Sequence, residues 1–317
     1  MRDTKISSKS ADQAGTAYLS LLLTFFLWGS LYVVSKFVLD KLPSFTIAFF
    51  RFVLAFMFLT VLERVADHRS ASVKRKLERK HFPYVILIGF GGYFIAVGAQ
   101  LLGTKYAGAS TASLLNSMNP VTISVFGAIL LSEKLTARKI VGILLSVAGV
   151  IAILGGGIQG TSRPGILLSL FAVLFWSYVS VMTRKITREY NPLYISRLAC
   201  GVAAICYMPV AAGQALSTKA PVVDVLIHDV PCTLGLVYMG IMCTGVAYLL
   251  WNRSLSVLDA GTCAAFYPLQ PAVSTLFGIL LLGEKINAGF VIGAGLIVLG
   301  VLISLGIPGK PSRRQDT

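Results

Sequence analysis

Hydrophobic positions in this chain fall in long unbroken runs, not in the one-sided stripes of a soluble helix. Five such runs occupy residues 17–39, 45–62, 82–103, 108–131 and 137–155, and five more occupy 164–183, 193–214, 231–251, 261–282 and 288–306. A run of about 20 residues, rising 1.5 Å per residue as a helix, crosses the ~30 Å hydrocarbon layer of a bilayer. The pattern predicts an all-α integral membrane protein with about ten transmembrane helices. The ten-residue alternating segments of an outer-membrane barrel do not occur. Residues 1–16 are polar and are expected to be disordered, and residues 308–317 form a short polar tail expected on the cytoplasmic side. The first run is too long for a signal-peptide core and has no small-residue cleavage site, so it is expected to stay as a membrane helix.

The runs also repeat. The stretch around Pro120 returns around Pro271, an ungapped offset of 151 residues (120 to 271) that also pairs Phe126 with Phe277, Glu133-Lys134 with Glu284-Lys285, Gly142 with Gly293 and Gly149 with Gly300. Near the start of each half, Trp28 pairs with Trp176. Proline and glycine kept in register over such a length mark a duplicated unit. The two copies are read as residues 17–157 and 164–307. Each holds five spans, an odd number, so the second enters the membrane in the opposite sense. Two inverted five-helix repeats place a site near the midplane at the repeat interface in many transporters.

Composition changes this picture little. The chain is 56% hydrophobic and 13% charged, with a mean hydropathy of +0.78, against about 25% charged residues in soluble domains. The net charge of +15 does not call for nucleic acid, because the basic residues sort by side. The loop after the second span holds Arg64, Arg69, Lys74, Arg75, Lys76, Arg79 and Lys80, and Arg138, Lys139, Arg184, Lys185, Arg253 and Arg313 fall on the same side. The other side keeps Lys36, Lys41, Lys105, Arg163, Lys219 and Lys285. By the positive-inside rule both termini are expected in the cytoplasm, in a multi-pass protein of the plasma membrane. The basic loop could also attract anionic lipid. The five cysteines form no CxxC pair, and His68, His81 and His228 all lie in polar loops. Neither a metal site nor a cofactor site is indicated.

Polar and aromatic residues inside the spans are the candidates for a substrate site: Trp28, Tyr32, Tyr93, Gln100, Asn116, Asn119, Trp176, Tyr178, Tyr248, Asn252, Tyr267 and Gln270. Amides in hydrocarbon are costly unless paired or hydrated, and rings offer stacking surface. Singly, each residue is better explained by helix–helix hydrogen bonding or an interfacial belt; as a set they suit a cavity. Pro120 and Pro271 lie inside their spans and are expected to kink them, freeing the carbonyls of Asn116 and Tyr267. Arg51 and Arg197 are the deepest charges. Contact with an anion, pairing with carbonyls and snorkelling to the interface are all open to them. No carboxylate is placed at mid-span, which points away from a proton-coupled pump. Glu133 and Glu284 read as parts of tight connections, with Thr136 and Asn287 as the following N-caps. The small residues Gly142, Ser146, Gly289 and Gly293 suggest close helix contact, with a homodimer through the last span of each half as one outcome.

The Trp28-Gly29 pair, Arg51 in the second span, Pro120 with Ser132-Glu133-Lys134 at the end of the fourth, and the duplication of the last spans resemble the drug/metabolite transporter superfamily, in particular its ten-helix EamA-type members. The resemblance covers residues 17–306. Ser177 replaces the glycine after Trp176, and Arg197 stands closer to Pro192 than Arg51 does to Pro43, so the two arginines are not equivalent. The resemblance implies a carrier with a central cavity open alternately to each side. It also implies export of amino acids or similar small metabolites, without naming one. Uptake or exchange of an anionic metabolite through Arg51 or Arg197 is the alternative. A channel or a membrane-embedded enzyme has no supporting motif: paired carboxylates, a nucleophile–base pair and a phosphate loop are all missing from the sequence.

Overall fold

A computed structural model describes residues 2–67, 77–131, 136–155, 162–187, 190–219, 221–257, 263 and 266–305. Among these the regular elements are all helices. The first half contains α1 (Arg2–Leu39), α2 (Ser44–Asp67) and α3 (Arg79–Ala107). It continues with α4 (Ala109–Asn116), α5 (Asn119–Leu131) and α6 (Ala137–Gly155). The second contains α7 (Arg163–Thr187), α8 (Pro192–Thr218), the short α9 (Val222–His228), α10 (residues 230–257), α11 (Leu269–Leu282) and α12 (Ala288–Leu305). Long polyleucine-like helices follow from runs of Leu, Ala, Phe and Met, whose backbone must satisfy its own hydrogen bonds in hydrocarbon. Among the described residues seven helices are long and apolar enough to cross a membrane, counting α4 with α5; α11 and α12 are shorter apolar helices.

The helix α1 begins at Arg2, ahead of the apolar run, and no proline or glycine before Gly15 interrupts it. One expectation changes here: Pro120 and Pro271 do not kink continuous helices. The fourth span breaks at a turn over Ser117 and Met118, and Pro120 sits in the first turn of α5; the ninth breaks over residues 266–268, and Pro271 sits in the first turn of α11. A proline in a first turn removes an amide that had no helical partner anyway. The Asn116 carbonyl is not left free, because Asn119 Nδ2 donates to it at 2.7 Å. The Tyr267 carbonyl accepts from the Gln270 amide at 3.0 Å.

Helix packing carries the duplication. α1 packs on α10 and α11, and its counterpart α7 packs on α3 and α5; α2 meets α10 as α8 meets α3; α2 meets α8, and α6 meets α12. Each of these contacts has its image when the halves are exchanged. The crossings repeat at the atomic level. A Cβ on Gly240 would lie 2.7 Å from Leu54 and 3.1 Å from the Arg51 carbonyl, and one on Gly89 would lie 2.6 Å from Val202 and 2.8 Å from the Ala199 carbonyl. The place of Arg51 in the first half is therefore taken by Ala199 in the second.

The α6–α12 pair absorbs the small-residue stripe that had suggested a dimer. A Cβ on Gly149 would meet the Gly293 carbonyl at 2.8 Å, and one on Gly300 the Gly142 carbonyl and Ser146 Oγ, each at 2.6 Å. These glycines bring two helices of one chain together, so they supply no argument for a second copy. Gly300→Leu should separate α6 from α12 at a cost of roughly 1–3 kcal/mol, the usual range for overpacking, read as a lowered thermal midpoint in detergent.

Candidate functional site

A cavity between the halves is lined by Trp28, Leu31, Arg51, Ala96, Val97, Gln100, Asn116, Ala172, Trp176, Tyr248, Tyr267 and Gln270. Both repeats contribute, and partly through equivalent positions. Trp28 and Trp176 correspond, as do Asn116 and Tyr267. The breaks before α5 and α11 explain how amides reach the wall. Each leaves a helix end beside the cavity, where Asn116 and Gln270 point their side chains across to one another, with Asn116 Nδ2 donating to Gln270 Oε1 at 3.1 Å.

The aromatic wall is rigid. Tyr248 lies 5.8 Å from both Trp28 and Trp176 and 5.0 Å from Tyr93, measured between ring centroids. Trp28 Nε1 donates to the Cys243 carbonyl at 3.2 Å, which fixes its ring. Phe25 and Trp251 pack edge-on against Tyr267 from behind, at 4.8 and 5.8 Å. Edge-to-face and offset rings of this kind hold their geometry and leave flat faces toward the space they enclose.

Arg51 reaches the same space from α2 and is 1% exposed. Its Nε donates to Thr244 Oγ1. That hydroxyl gives its own proton to the Met239 carbonyl at 2.8 Å, so its lone pairs are left to accept from the arginine. Thr244 belongs to a π-helical stretch of α10, Ile241–Val246, and α3 has one at Leu87–Ala96. Wider π turns often mark functional sites in helices. Arg51 does not snorkel: it is held by its Nε, and its Nη1 is buried without a hydrogen-bond partner.

Several sequence candidates stand one layer back. Tyr32 accepts at its hydroxyl from Gln100 Nε2 (2.6 Å) and so orients that amide. Tyr93 is stacked between Phe52 and Trp176, at 5.5 and 6.0 Å. Asn119 braces the helix break, and its Oδ1 accepts from Ser177 Oγ at 2.9 Å. Ser177 is the residue found where the family motif has glycine.

Two candidates are elsewhere. Tyr178 packs edge-on against Phe126 and Phe175, at 5.9 and 6.3 Å, away from the cavity. Two residues along a helix turn a side chain by about 200°, so Tyr178 and Trp176 cannot share a face. Arg197 forms an ion pair with Glu63 and lies beside the Phe56 and Tyr194 rings, so it offers no free charge to a ligand in the cavity. The side chain of Asn252 lies outside the described residues.

Leu31, Ala96, Val97, Ala172 and Thr244 were invisible as site residues, because apolar and hydroxyl residues inside an apolar run carry no signal of their own. Glu284 has a clearer role than a tight connection. Gly283 ends α11 in the left-handed region (φ 63°), and the Glu284 amide returns to the Gly278 carbonyl at 3.0 Å. This reversal throws the Glu284 side chain across onto α4. There it accepts from the amides of Ala109 (2.7 Å) and Ser110 (3.1 Å) and from the Ser110 hydroxyl. A carboxylate at a helix N-terminus satisfies orphan donors and the helix dipole together. One repeat thus caps the broken span of the other. Its counterpart Glu133 lies outside the described residues.

A polar, aromatic cavity between two related halves built of apolar helices is an arrangement found in membrane transporters. The chain belongs to the EamA-like transporter family, which matches residues 15–155 and 163–306. Relatives agree in kind. A "probable amino-acid metabolite efflux pump" of Salmonella typhimurium is 25% identical over 90% of this chain and 93% of its own length. Transporters from Bacillus subtilis (YetK) and Archaeoglobus fulgidus, both described as uncharacterized, are each 26% identical over 91% and 90% of this chain and 86% and 97% of their own. A crystal structure at 23% identity aligns with a TM-score of 0.60 over 92% of this chain and 96% of its own, which supports the fold.

Proposed function

We propose that the chain is a secondary carrier that exports small organic metabolites of the amino-acid type across the cell membrane, with both termini in the cytoplasm. The observation that supports it best is that the cavity lies between the two repeats and takes wall residues from both, including the equivalent pairs Trp28/Trp176 and Asn116/Tyr267. Rocking one half against the other changes which end of such a cavity is open. The export direction follows the efflux pump among the relatives. Among the described residues no carboxylate lines the cavity, so proton coupling through a buried acid is not part of this reading. Facilitated exchange or uniport is.

The test is efflux from liposomes preloaded with a pool of labelled amino acids and their deaminated and decarboxylated derivatives, with and without a pH gradient. Saturable efflux, accelerated by unlabelled substrate outside and indifferent to the pH gradient, is the expected result. Flux linear in concentration with no exchange would identify a channel and defeat the proposal.

A further inference from the structure

The least expected group in the cavity is Arg51. A buried guanidinium is costly unless paired, and no described carboxylate pairs with it. Burial is nearly complete at 1% exposure, and Nη1 has no partner. The fold does not demand the charge, since the equivalent backbone position beside Gly89 carries Ala199. The local structure nonetheless holds the group in place: Thr244 fixes Nε, and Phe52 lies under the guanidinium, 5.7 Å from its ring centroid. What remains is the terminal end of the guanidinium of a residue that lines the cavity, with Nη1 unpartnered. The half-helix α11 also begins at the cavity, where Gln270 forms part of the wall, and a helix N-terminus adds positive potential.

We propose that Arg51 is the carboxylate-binding subsite of the cavity, and that the preferred substrates are organic monoanions with a carboxylate at one end and a flat apolar body at the other. This rests on the carrier reading and names its substrate class. Guanidinium edges match carboxylates in charge and in two-point geometry. Phosphate monoesters, carrying close to two charges, lack a second cation, because Arg51 is the one cationic side chain among the described lining residues. The flat body is received by Trp28, Trp176, Tyr248 and Tyr267. No lining carboxylate receives an ammonium group, which favours a deaminated acid over the matching amino acid and the amino acid over the amine.

The test uses the full-length protein in liposomes and three probes with one ring and one chain length: hydrocinnamate, L-phenylalanine and phenethylamine. Counterflow of labelled hydrocinnamate is measured against each as competitor, for wild type, Arg51→Lys and Arg51→Gln. Expected are saturable hydrocinnamate exchange, competition in the order hydrocinnamate, phenylalanine, phenethylamine, and a roughly 10- to 100-fold weaker apparent affinity in Arg51→Gln, the scale of one charge-assisted contact. Arg51→Lys should recover part of the loss by keeping the charge without the fork. A wild-type-like size-exclusion profile and thermal midpoint in detergent show that the variant is folded. Phenethylamine as the best competitor, or unchanged hydrocinnamate affinity in Arg51→Gln, overturns the assignment and leaves the carrier reading standing. Absence of hydrocinnamate exchange in protein that exchanges other solutes overturns it equally. Absence of exchange for every solute in the preloaded pool defeats the carrier reading itself.

Discussion

Replacing Trp176 by alanine is expected to abolish saturable transport, lowering kcat/KM by about 100-fold or more while the protein still folds. Trp176 is only partly buried, and its ring contributes one wall of the cavity, stacked on Tyr93 and tilted against Tyr248. Removing it takes away a stacking face and also frees both tyrosines to move. Each aromatic pair contributes about 0.5–1.5 kcal/mol beyond its buried area. With the apolar contact to substrate added, about 3 kcal/mol, or 100-fold, is the expected scale. Trp176→Phe keeps a flat face and should retain most activity. Initial rates of efflux across a substrate range give both constants. If Trp176→Ala transports like wild type, the ring is packing and the cavity is not where substrate binds.

The second large effect is expected at Glu284. Its carboxylate takes two backbone amides and a hydroxyl at the start of α4, and hydrogen bonds to a charged acceptor contribute about 1.5–3 kcal/mol each when partly buried. Glu284→Ala leaves those donors to water and should cost roughly 3 kcal/mol in total after solvent competition. Glu284→Gln keeps one acceptor oxygen and should fall between. Because the contact joins the end of α11 to the start of α4, its loss should also loosen that end of the bundle. Thermal unfolding measures the first consequence. Hydrogen exchange at the Ala109 and Ser110 amides measures the second: faster exchange confined to α4 is expected, and unchanged protection there would show that the cap is not made in the membrane.

Much of the fold is legible in the sequence because hydrocarbon imposes it. A run of apolar residues long enough to cross has to be helical, and the 151-residue register of Pro120 with Pro271 gives the duplication directly. The cavity is partly legible for the same reason. Trp28, Gln100, Asn116, Trp176, Tyr248, Tyr267 and Gln270 are out of place in lipid, and all of them line the space between the halves. Tyr178 shows the limit of that logic, since an aromatic residue in a span also serves a helix seam. The two prolines show another. Their position in the run suggested kinks, whereas Asn119-Pro120 is itself a turn signal, and the Asn119 side chain closes the turn on the Asn116 carbonyl. Arg51 and Arg197 are both deep charges in the sequence, open to the same roles. What separates them is a partner: Glu63 neutralises Arg197, and Thr244, far away in sequence, fixes Arg51 without neutralising it. Long-range pairing of this kind leaves no periodic trace along a single chain.

The central claim is that one cavity between the two halves is exposed to each side of the membrane in turn. Ala172→Cys, a small change on the cavity wall, placed in a background with the five native cysteines replaced by alanine, tests it most directly. A membrane-impermeant maleimide is applied to right-side-out and to inside-out vesicles. The account predicts modification from either side and protection by a transported substrate in both preparations. Modification from one side alone, or modification from both sides that substrate does not slow, would contradict it.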